Sequence, residues 1–141
     1  MQKNEESDDI YCKHDLMHSM DVARVAYIIN IEEKLNFSKE LIYAAALLHD
    51  IGKWKQRLTG KSHSEEAIEP ATEVLQGCGF LDDEILVICN AILHHRKGPK
   101  DGNAFARLIF RADKMSRACY SCESESTCDW DKDKKNKALE V

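Results

Sequence analysis

Histidines and aspartates recur along this sequence on inward helix faces or at helix ends. They are His18, His49, Asp50, His63, His94, His95 and Asp113. A single histidine on an apolar face is more often a hydrogen-bonded core or surface residue than a ligand. Burying several imidazoles and carboxylates without partners, however, would cost on the order of 2–7 kcal/mol each. Cations are the simplest partners that would satisfy the whole set.

The donor atoms indicate the kind of metal. Imidazole nitrogens and carboxylate oxygens without a thiolate suit iron, manganese, nickel, cobalt, zinc or magnesium. The set has more donors than a tetrahedral site accepts, and it suits two octahedral ions that share a bridging carboxylate. The sequence therefore predicts divalent metal ions, two in number, with iron or manganese favoured.

Helices must position these side chains, because helical periodicity dominates and the alternation typical of strands is nearly absent. The inward steps and capping signals predict five helices. These run from His14 to about Leu35, from the N-cap Ser38 to the stop at Gly52, from Ser62 or Ser64 to the glycines at 77 and 79, from Asp82 to about His95, and from about Asn103 to Cys119. Pro70 is expected at a bend or in a first turn. The expected fold is all-α, a compact bundle of about five or six helices.

The chain has 141 residues, of which 43% are hydrophobic and 32% charged. This length suits a single domain over residues 1–141, with a core from about 13 to 118 and a cysteine-containing, charged C-terminal tail over 119–141. The last part of this tail, "DWDKDKKNKALEV" over 129–141, is expected to fray. No apolar run approaches the roughly 20 residues of a membrane helix. The polar N-terminus does not resemble a signal peptide. We therefore expect a cytoplasmic protein.

Three of the six cysteines, Cys119, Cys122 and Cys128, are close together in the sequence. A CxxC followed by a third cysteine resembles part of a structural zinc or iron–sulfur site. Packing as reduced thiols at the end of a helix is the alternative that we favour.

The formal net charge of −5 argues against partners such as a nucleic-acid polymer or an anionic membrane. Basic residues nevertheless follow the ligand-bearing segments, among them Lys53, Arg96, Lys97 and Arg117. Basic side chains favour helix C-termini in any case, which accounts for part of the pattern. The rest predicts contacts with phosphate, most of all at Lys53, because Gly52 lets the chain turn back towards the ligands.

In order and spacing, these residues resemble the HD superfamily of metal-dependent phosphohydrolases. The matching pieces are His18, His49-Asp50 in "HDIGK", His63 in "HSEEA", His94-His95 and Asp113 in "ADK". They extend over nearly the whole chain, from about Lys13 to Arg117. The Gly-Tyr-Pro motif of the cyclic-dinucleotide branch is absent, since the chain reads "RKGPKDG" after the His-His pair. This departure argues against a cyclic di-GMP phosphodiesterase.

The resemblance also implies roles for individual residues. The first metal would be bound by His18, His49, Asp50 and Asp113. Asp50 would bridge to a second metal held by His63, His94 and His95. Lys53 would contact phosphate. Asp50 and Lys53 are then the expected catalytic residues, and the expected substrate-binding residues are Lys53, Arg96, Lys97 and Arg117.

The predicted activity is a metal-dependent phosphohydrolase, either a phosphomonoesterase or a phosphodiesterase, that acts on a small phosphorylated molecule such as a nucleotide. Water bound between cations has its pKa lowered from ~15.7 to ~7, so it is hydroxide at neutral pH. Hydroxide can attack phosphorus without a covalent protein nucleophile. Two alternatives remain open: a diiron oxygenase on the same scaffold, and a non-catalytic nucleotide-binding regulatory module. The small chain has no obvious specificity domain, and a homodimer could supply the missing wall of the site.

Overall fold

The computed structural model describes residues 15–138, apart from the side chains of Trp54 and Arg57. The expected start of the first helix, His14, lies outside these residues.

All regular secondary structure in residues 15–138 is helical, and these residues contain no strand. Its α-helices are α1 (Leu16–Glu32), α2 (Lys39–Leu48), α3 (Lys53–Thr59), α4 (His63–Glu66), α5 (Ile68–Gly77), α6 (Asp82–His94) and α7 (Ala104–Met115). Two short 3-10 helices follow, Cys119–Ser121 and Glu125–Thr127. The prediction of an all-α fold is confirmed.

Side-chain caps start the helices that carry the core. Asp15, Ser38 and Asn103 each accept a hydrogen bond from the backbone N–H three residues later, at 2.9, 3.3 and 2.9 Å. Each cap satisfies one of the N–H groups that a helix N-terminus leaves without a partner. The N-cap role predicted for Ser38 is therefore present in the structure.

Two parts of the helical prediction differ from the structure. The helix expected from Ser62 or Ser64 to the glycines is divided into α4 and α5 at Ala67, with Pro70 in the first turn of α5. Gly52 does not stop the preceding helix: α2 ends at Leu48, and Gly52 has helical φ and ψ of −81° and −4° directly before α3.

The core lies between α1, α2, α6 and α7. α1 packs against α2 and α7, and α6 packs against α2, α5 and α7. The faces that meet are fully buried and include Val22, Ile42, Ile88, Ile92 and Ile109. Several buried alanines let these helices approach closely. Because of this packing, the ends of α2, α6 and α7 are held in fixed positions near the start of α1.

The segment after α7 is folded onto the bundle, so the expectation that it frays is not met over the residues described. The Asn136 side-chain amide donates hydrogen bonds of 2.7–3.2 Å to the backbone oxygens of Lys114, Met115 and Arg117. These carbonyls are at or just beyond the end of α7, where a helix leaves acceptors without partners. Asn136 therefore ties the segment to the end of the last helix.

None of the helices in residues 15–138 has the length and apolar character needed to cross a membrane.

Candidate metal centre

The turn after α2 carries the centre of the site. His49 and Asp50 follow directly after Leu48, and their exposed fractions are only 0% and 7%. The imidazole Nε2 of His49 lies 3.1 Å from Asp50 Oδ2. A turn between α2 and α3 thus delivers two polar side chains into the interior.

A first group of potential ligands forms around this turn from His18, His49 and Asp50. His18 comes from α1, and its Nε2 lies 3.1 Å from Asp113 Oδ1 on α7. The same Asp113 oxygen is 3.7 Å from His49 Nε2. The four side chains that the resemblance assigns to one metal therefore lie around one point, where α1, the α2–α3 turn and α7 meet.

A second group contains Asp50, His63 and His95. Asp50 Oδ1 lies 3.5 Å from Nε2 of both His63 and His95, and those two nitrogens are 3.1 Å apart. Asp50 thus directs one oxygen towards His49 and the other towards this pair. Because it belongs to both groups, its carboxylate is placed where a bridging ligand would be.

The hydrogen bonds of the outer ring nitrogens show that the groups are suited to a cation. Nδ1–H of His49 and of His95 donates to the backbone oxygens of Ala46 and Ile92, each at 2.6 Å, and a carbonyl can only accept. In the neutral tautomer each Nε2 then carries a lone pair. These lone pairs face each other or carboxylate oxygens, and the buried His49 Nε2 makes no hydrogen bond. A divalent cation would satisfy them all.

His63 is oriented by a residue that the sequence analysis did not single out. The side-chain oxygen of Gln56, on α3, lies 2.9 Å from His63 Nδ1. Gln56 thus performs for His63 what a backbone carbonyl does for His49 and His95. The spacing of residues in "KWKQR" does not indicate this hydrogen bond, because the bond depends on how α3 packs against α4.

Close backbone packing places His63. A Cβ atom on Gly52 would lie 2.5 Å from Ala67 N and 2.9 Å from the carbonyl carbon of Glu66, and nearer still to His63 O. Only a residue without a side chain permits this approach. The glycine is therefore required because α4 contacts it directly, and this contact holds His63 beside Asp50.

Burial and neighbouring charges shift the pKa values of the first group. Burial opposes the charged form of His49, but the carboxylates of Asp50 and Asp113 outweigh it and raise the pKa of His49. Burial would raise the pKa of Asp113, but the His18 hydrogen bond and nearby positive charges, such as that of Lys114, hold it well below its usual range. The carboxylates thus favour a positive charge at His49 Nε2, which a proton supplies when no metal is bound and which a cation would supply in its place.

His63 behaves differently. Burial lowers the pKa of its imidazole to about 3, and electrostatic repulsion from His95, Lys53 and Arg96 adds to this effect, while Asp50 offsets it only in part. The imidazole is therefore neutral at physiological pH, the form in which histidine binds a metal.

We expect this shift to be visible in the pH dependence of stability of the metal-free protein. Below pH ~6.5 the unfolded chain binds a proton at His63 that the folded chain does not bind until about pH 3. Protonation thus favours the unfolded state by up to about 1.4 kcal/mol per pH unit. In EDTA, the free energy of unfolding of the native protein should fall relative to that of a His63→Gln variant as the pH is lowered from 6.5. Above that pH the difference between the two free energies should be constant.

Thermal unfolding of both proteins at several pH values measures this difference. A constant difference in free energy of unfolding between pH 7.5 and 5 would show that the folded imidazole titrates normally.

The remaining predicted site residues have different positions. His94 is half-buried at the end of α6, where its Nδ1–H donates to Asn90 O at 2.9 Å, and it is in neither ligand group found among the described residues. Lys53 is half-buried, and its Nζ lies 3.5 Å from Asp50 Oδ2. Arg96 and Lys97 are exposed beyond His95. Their positions leave the roles given by the resemblance as proposals.

Asp113 has two basic neighbours at its outer oxygen. Lys114 Nζ donates to Asp113 Oδ2 at 2.8 Å, and an Arg117 guanidinium nitrogen lies 3.7 Å from the same oxygen. Arg117 was expected in a substrate-binding role. Lys114 is not among the residues predicted to bind substrate, and it makes the closer contact with Asp113.

The described cysteines are free thiols. No cysteine belongs to a group of potential metal ligands within residues 15–138. The role of Cys119, Cys122 and Cys128 stays a prediction.

Comparison with known proteins gives one family match. The model of the HD domain family matches residues 16–118, which contain every residue of the two ligand groups. No solved structure is significantly similar to the chain.

Several curated proteins are similar over most of this chain. An uncharacterized protein of Clostridium beijerinckii is 46% identical over 95% of this chain and 84% of its own length. Ribonuclease Y 2 of Pediococcus pentosaceus is 32% identical over 85% of this chain, and ribonuclease Y of Bacillus subtilis is 33% identical over 82%. The chain spans only 21% and 20% of the length of these two ribonucleases.

Proposed function

The chain belongs to the HD domain family of metal-dependent phosphohydrolases, and we propose that it hydrolyses a phosphoester bond of a small phosphorylated molecule, such as a nucleotide. The observation that carries this proposal is the position of Asp50. Its two oxygens face different histidines, at 3.1 Å from His49 and 3.5 Å from His63 and His95. This arrangement supports two neighbouring cations with Asp50 between them.

On this proposal His18, His49, Asp50 and Asp113 hold one ion, and Asp50, His63 and His95 hold the other, with His94 completing the second set. Divalent cations in these positions supply Lewis acidity, which lowers the pKa of a bound water to ~7 and neutralises charge on phosphoryl oxygens. The hydrogen bonds at the outer ring nitrogens keep the imidazoles in the tautomer that this requires.

Basic side chains of the chain would bind and orient the phosphate. Lys53 is beside Asp50 on one edge of the centre, with its ammonium 3.5 Å from Asp50 Oδ2. Arg117 is beside Asp113 on another edge. Positive groups fixed in a partly buried site stabilise charge as it develops on phosphoryl oxygens, at little reorganisation cost. Arg96 and Lys97 are exposed and suit attraction of an anionic substrate to the site.

The relatives named ribonuclease Y favour a second candidate, hydrolysis of a phosphodiester bond in RNA. The chemistry at phosphorus would be the same and only the substrate would differ. The net charge of −5 counts against binding a long polyanion. We therefore place the small substrate first and let experiment choose between them.

A substrate panel tests the proposal. Metal-free protein would be loaded in turn with iron, manganese, nickel and magnesium. It would then be assayed on p-nitrophenyl phosphate, bis-p-nitrophenyl phosphate, the four ribonucleoside 5′-monophosphates and a single-stranded RNA decamer. We expect turnover of a small phosphoester with at least one metal.

Faster cleavage of the decamer than of every small substrate would favour the ribonuclease reading. Absence of turnover with all metals would refute the hydrolase proposal. In that case, oxygen consumption by the iron-loaded protein would favour a diiron oxygenase, and nucleotide binding without hydrolysis would favour a regulatory module.

A further inference from the structure

A cavity of about 460 Å³ lies beside the first ligand group. Its walls come from the start of α1, the end of α7 and the residues after α7. This volume is within the ~300–1,000 Å³ of small-ligand pockets. His18 lines the cavity and also belongs to the first ligand group, so the cavity adjoins the candidate metal centre at His18.

One side of the cavity is formed by the segment 119–136, and the residues of this segment that line the cavity are here called the C-terminal wall. The wall is fixed by side chains that reach backbone oxygens. The ammonium of Lys135 donates to Glu125 O at 2.7 Å and Cys128 O at 3.3 Å, and its side chain is only 6% exposed. Asn136 ties the same segment to the end of α7. These bonds satisfy a charged donor that would otherwise be buried without partners, so the wall is an integral part of the fold.

Trp130 and Arg117 join the wall to the metal centre. The Arg117 guanidinium lies 4.5 Å from the centroid of the Trp130 ring, a cation–π contact. The Nη2 atom of the same guanidinium is 3.7 Å from Asp113 Oδ2. The Arg117 Nε atom is buried and has no hydrogen-bond partner. A positive group with an unused donor thus lies between a proposed metal ligand and a half-buried aromatic ring, and both Arg117 and Trp130 line the cavity.

The charge of the cavity limits what it can hold. Four carboxylates line it: Asp15, Asp21, Glu123 and Glu125. A nucleic-acid strand would bring several phosphates against this surface and be repelled. A molecule with one phosphate group, placed at the Arg117 edge, and an uncharged remainder would avoid that repulsion.

We propose that the C-terminal wall recognises the organic part of the substrate, and that the cavity takes a single nucleotide-sized phosphoester. The phosphate lies towards His18 and Arg117, and a planar base packs against Trp130. This inference rests on the proposed function, since it places the phosphate at the metal centre. It also gives the chain its own specificity element, so the site needs no wall from a second subunit.

Binding measurements on the full chain test this inference separately from turnover. The probes are the four ribonucleoside 5′-monophosphates, titrated by calorimetry into manganese-loaded protein. We expect at least one to bind, with a Kd about tenfold weaker in a Trp130→Ala variant, because one base–aromatic stacking contact contributes ~1–3 kcal/mol. Trp130→Phe should keep most of the affinity, which separates loss of a ring from loss of folding.

Tyr120→Ala is the matched control. Tyr120 is an exposed aromatic of the same segment and does not line this cavity, so binding should be unchanged. Equal affinities in the Trp130→Ala and Tyr120→Ala variants would overturn the inference. So would failure of native protein to bind any monophosphate, or tighter, Trp130-dependent binding of an RNA decamer.

The two proposals can fail independently. Hydrolysis of p-nitrophenyl phosphate without binding of a monophosphate would leave the proposed function and remove the recognition role of the wall. Trp130-dependent binding without hydrolysis by any metal form would leave the recognition role of the wall and remove the proposed function.

Discussion

Replacement of Asp50 by alanine is expected to remove divalent ions from both ligand groups and to reduce phosphoester hydrolysis to background. The carboxylate is 7% exposed and is the one residue common to the two groups. Its loss takes one oxygen from the side of His49 and the other from His63 and His95. Replacing residues that merely support metal ligands already weakens metal affinity by roughly 10–100-fold, so losing a shared ligand should exceed this at both positions.

Metal content by elemental analysis and metal affinity by calorimetry measure this effect. Asp83→Ala is a matched control, since Asp83 is an exposed aspartate in the first turn of α6, and it should retain native metal content. Full occupancy of two ions per chain in the Asp50→Ala protein would contradict the bridging assignment.

Among substitutions that add one methyl group near the site, replacement of Gly52 by alanine should lower the free energy of unfolding the most. The backbone angles of Gly52 are acceptable for alanine, so the cost comes from contact alone. The new Cβ would lie 2.5 Å from Ala67 N and closer to His63 O, and neither backbone can retreat without moving α4. We expect a loss of about 2–4 kcal/mol in the free energy of unfolding.

The same change should weaken the second ligand group selectively, because α4 carries His63 and must move away from Asp50. Gly77→Ala is the control: an added Cβ there meets nothing within 4 Å, and Gly77 lies in the last turn of α5. Denaturant unfolding and metal titration of both variants measure the effects. Equal stability of the two would show that the α4 contact is looser than the structure indicates.

Much of the helical frame was accessible from the sequence because long amphipathic stretches leave a clear period. Apolar residues at helical spacing on α6 and α7, such as Ile88, Ile92 and Ile109, are buried in the structure. The N-cap at Ser38 was equally predictable, since a serine before an apolar run is typical of a helix N-terminus, where its side chain accepts a hydrogen bond from a backbone N–H. Here local preference and global packing agree.

The segment between α2 and α5 was harder to predict because its structure depends on contacts between short helices. Gly52 looked like a helix stop, and only the approach of α4 reveals why a side chain is excluded. Gln56 is placed at His63 by the same packing. No periodicity over so few residues could indicate either contact.

The C-terminal wall escaped prediction for another reason. It is held by Lys135 and Asn136, which reach backbone oxygens distant in sequence. A charge-rich tail without apolar periodicity is typical of a frayed end. Individual hydrogen bonds from side chains to backbone oxygens have no recognisable pattern in the sequence. A single chain thus has a wall beside its site, where the sequence had suggested that a homodimer could supply one.

The hydrogen bond between His18 and Asp113 joins residues 95 positions apart. Closing so long a loop costs conformational entropy and slows folding, and α7 lies nearest the C-terminus of the seven α-helices in residues 15–138. Asp50, His63 and His95 precede α7 in the chain, whereas the contact between His18 and Asp113 forms only when α7 packs on α1. On the proposed ligand assignment, the ligands of the second ion are therefore all present before α7 is added, and those of the first ion come together only after α7 has packed on α1.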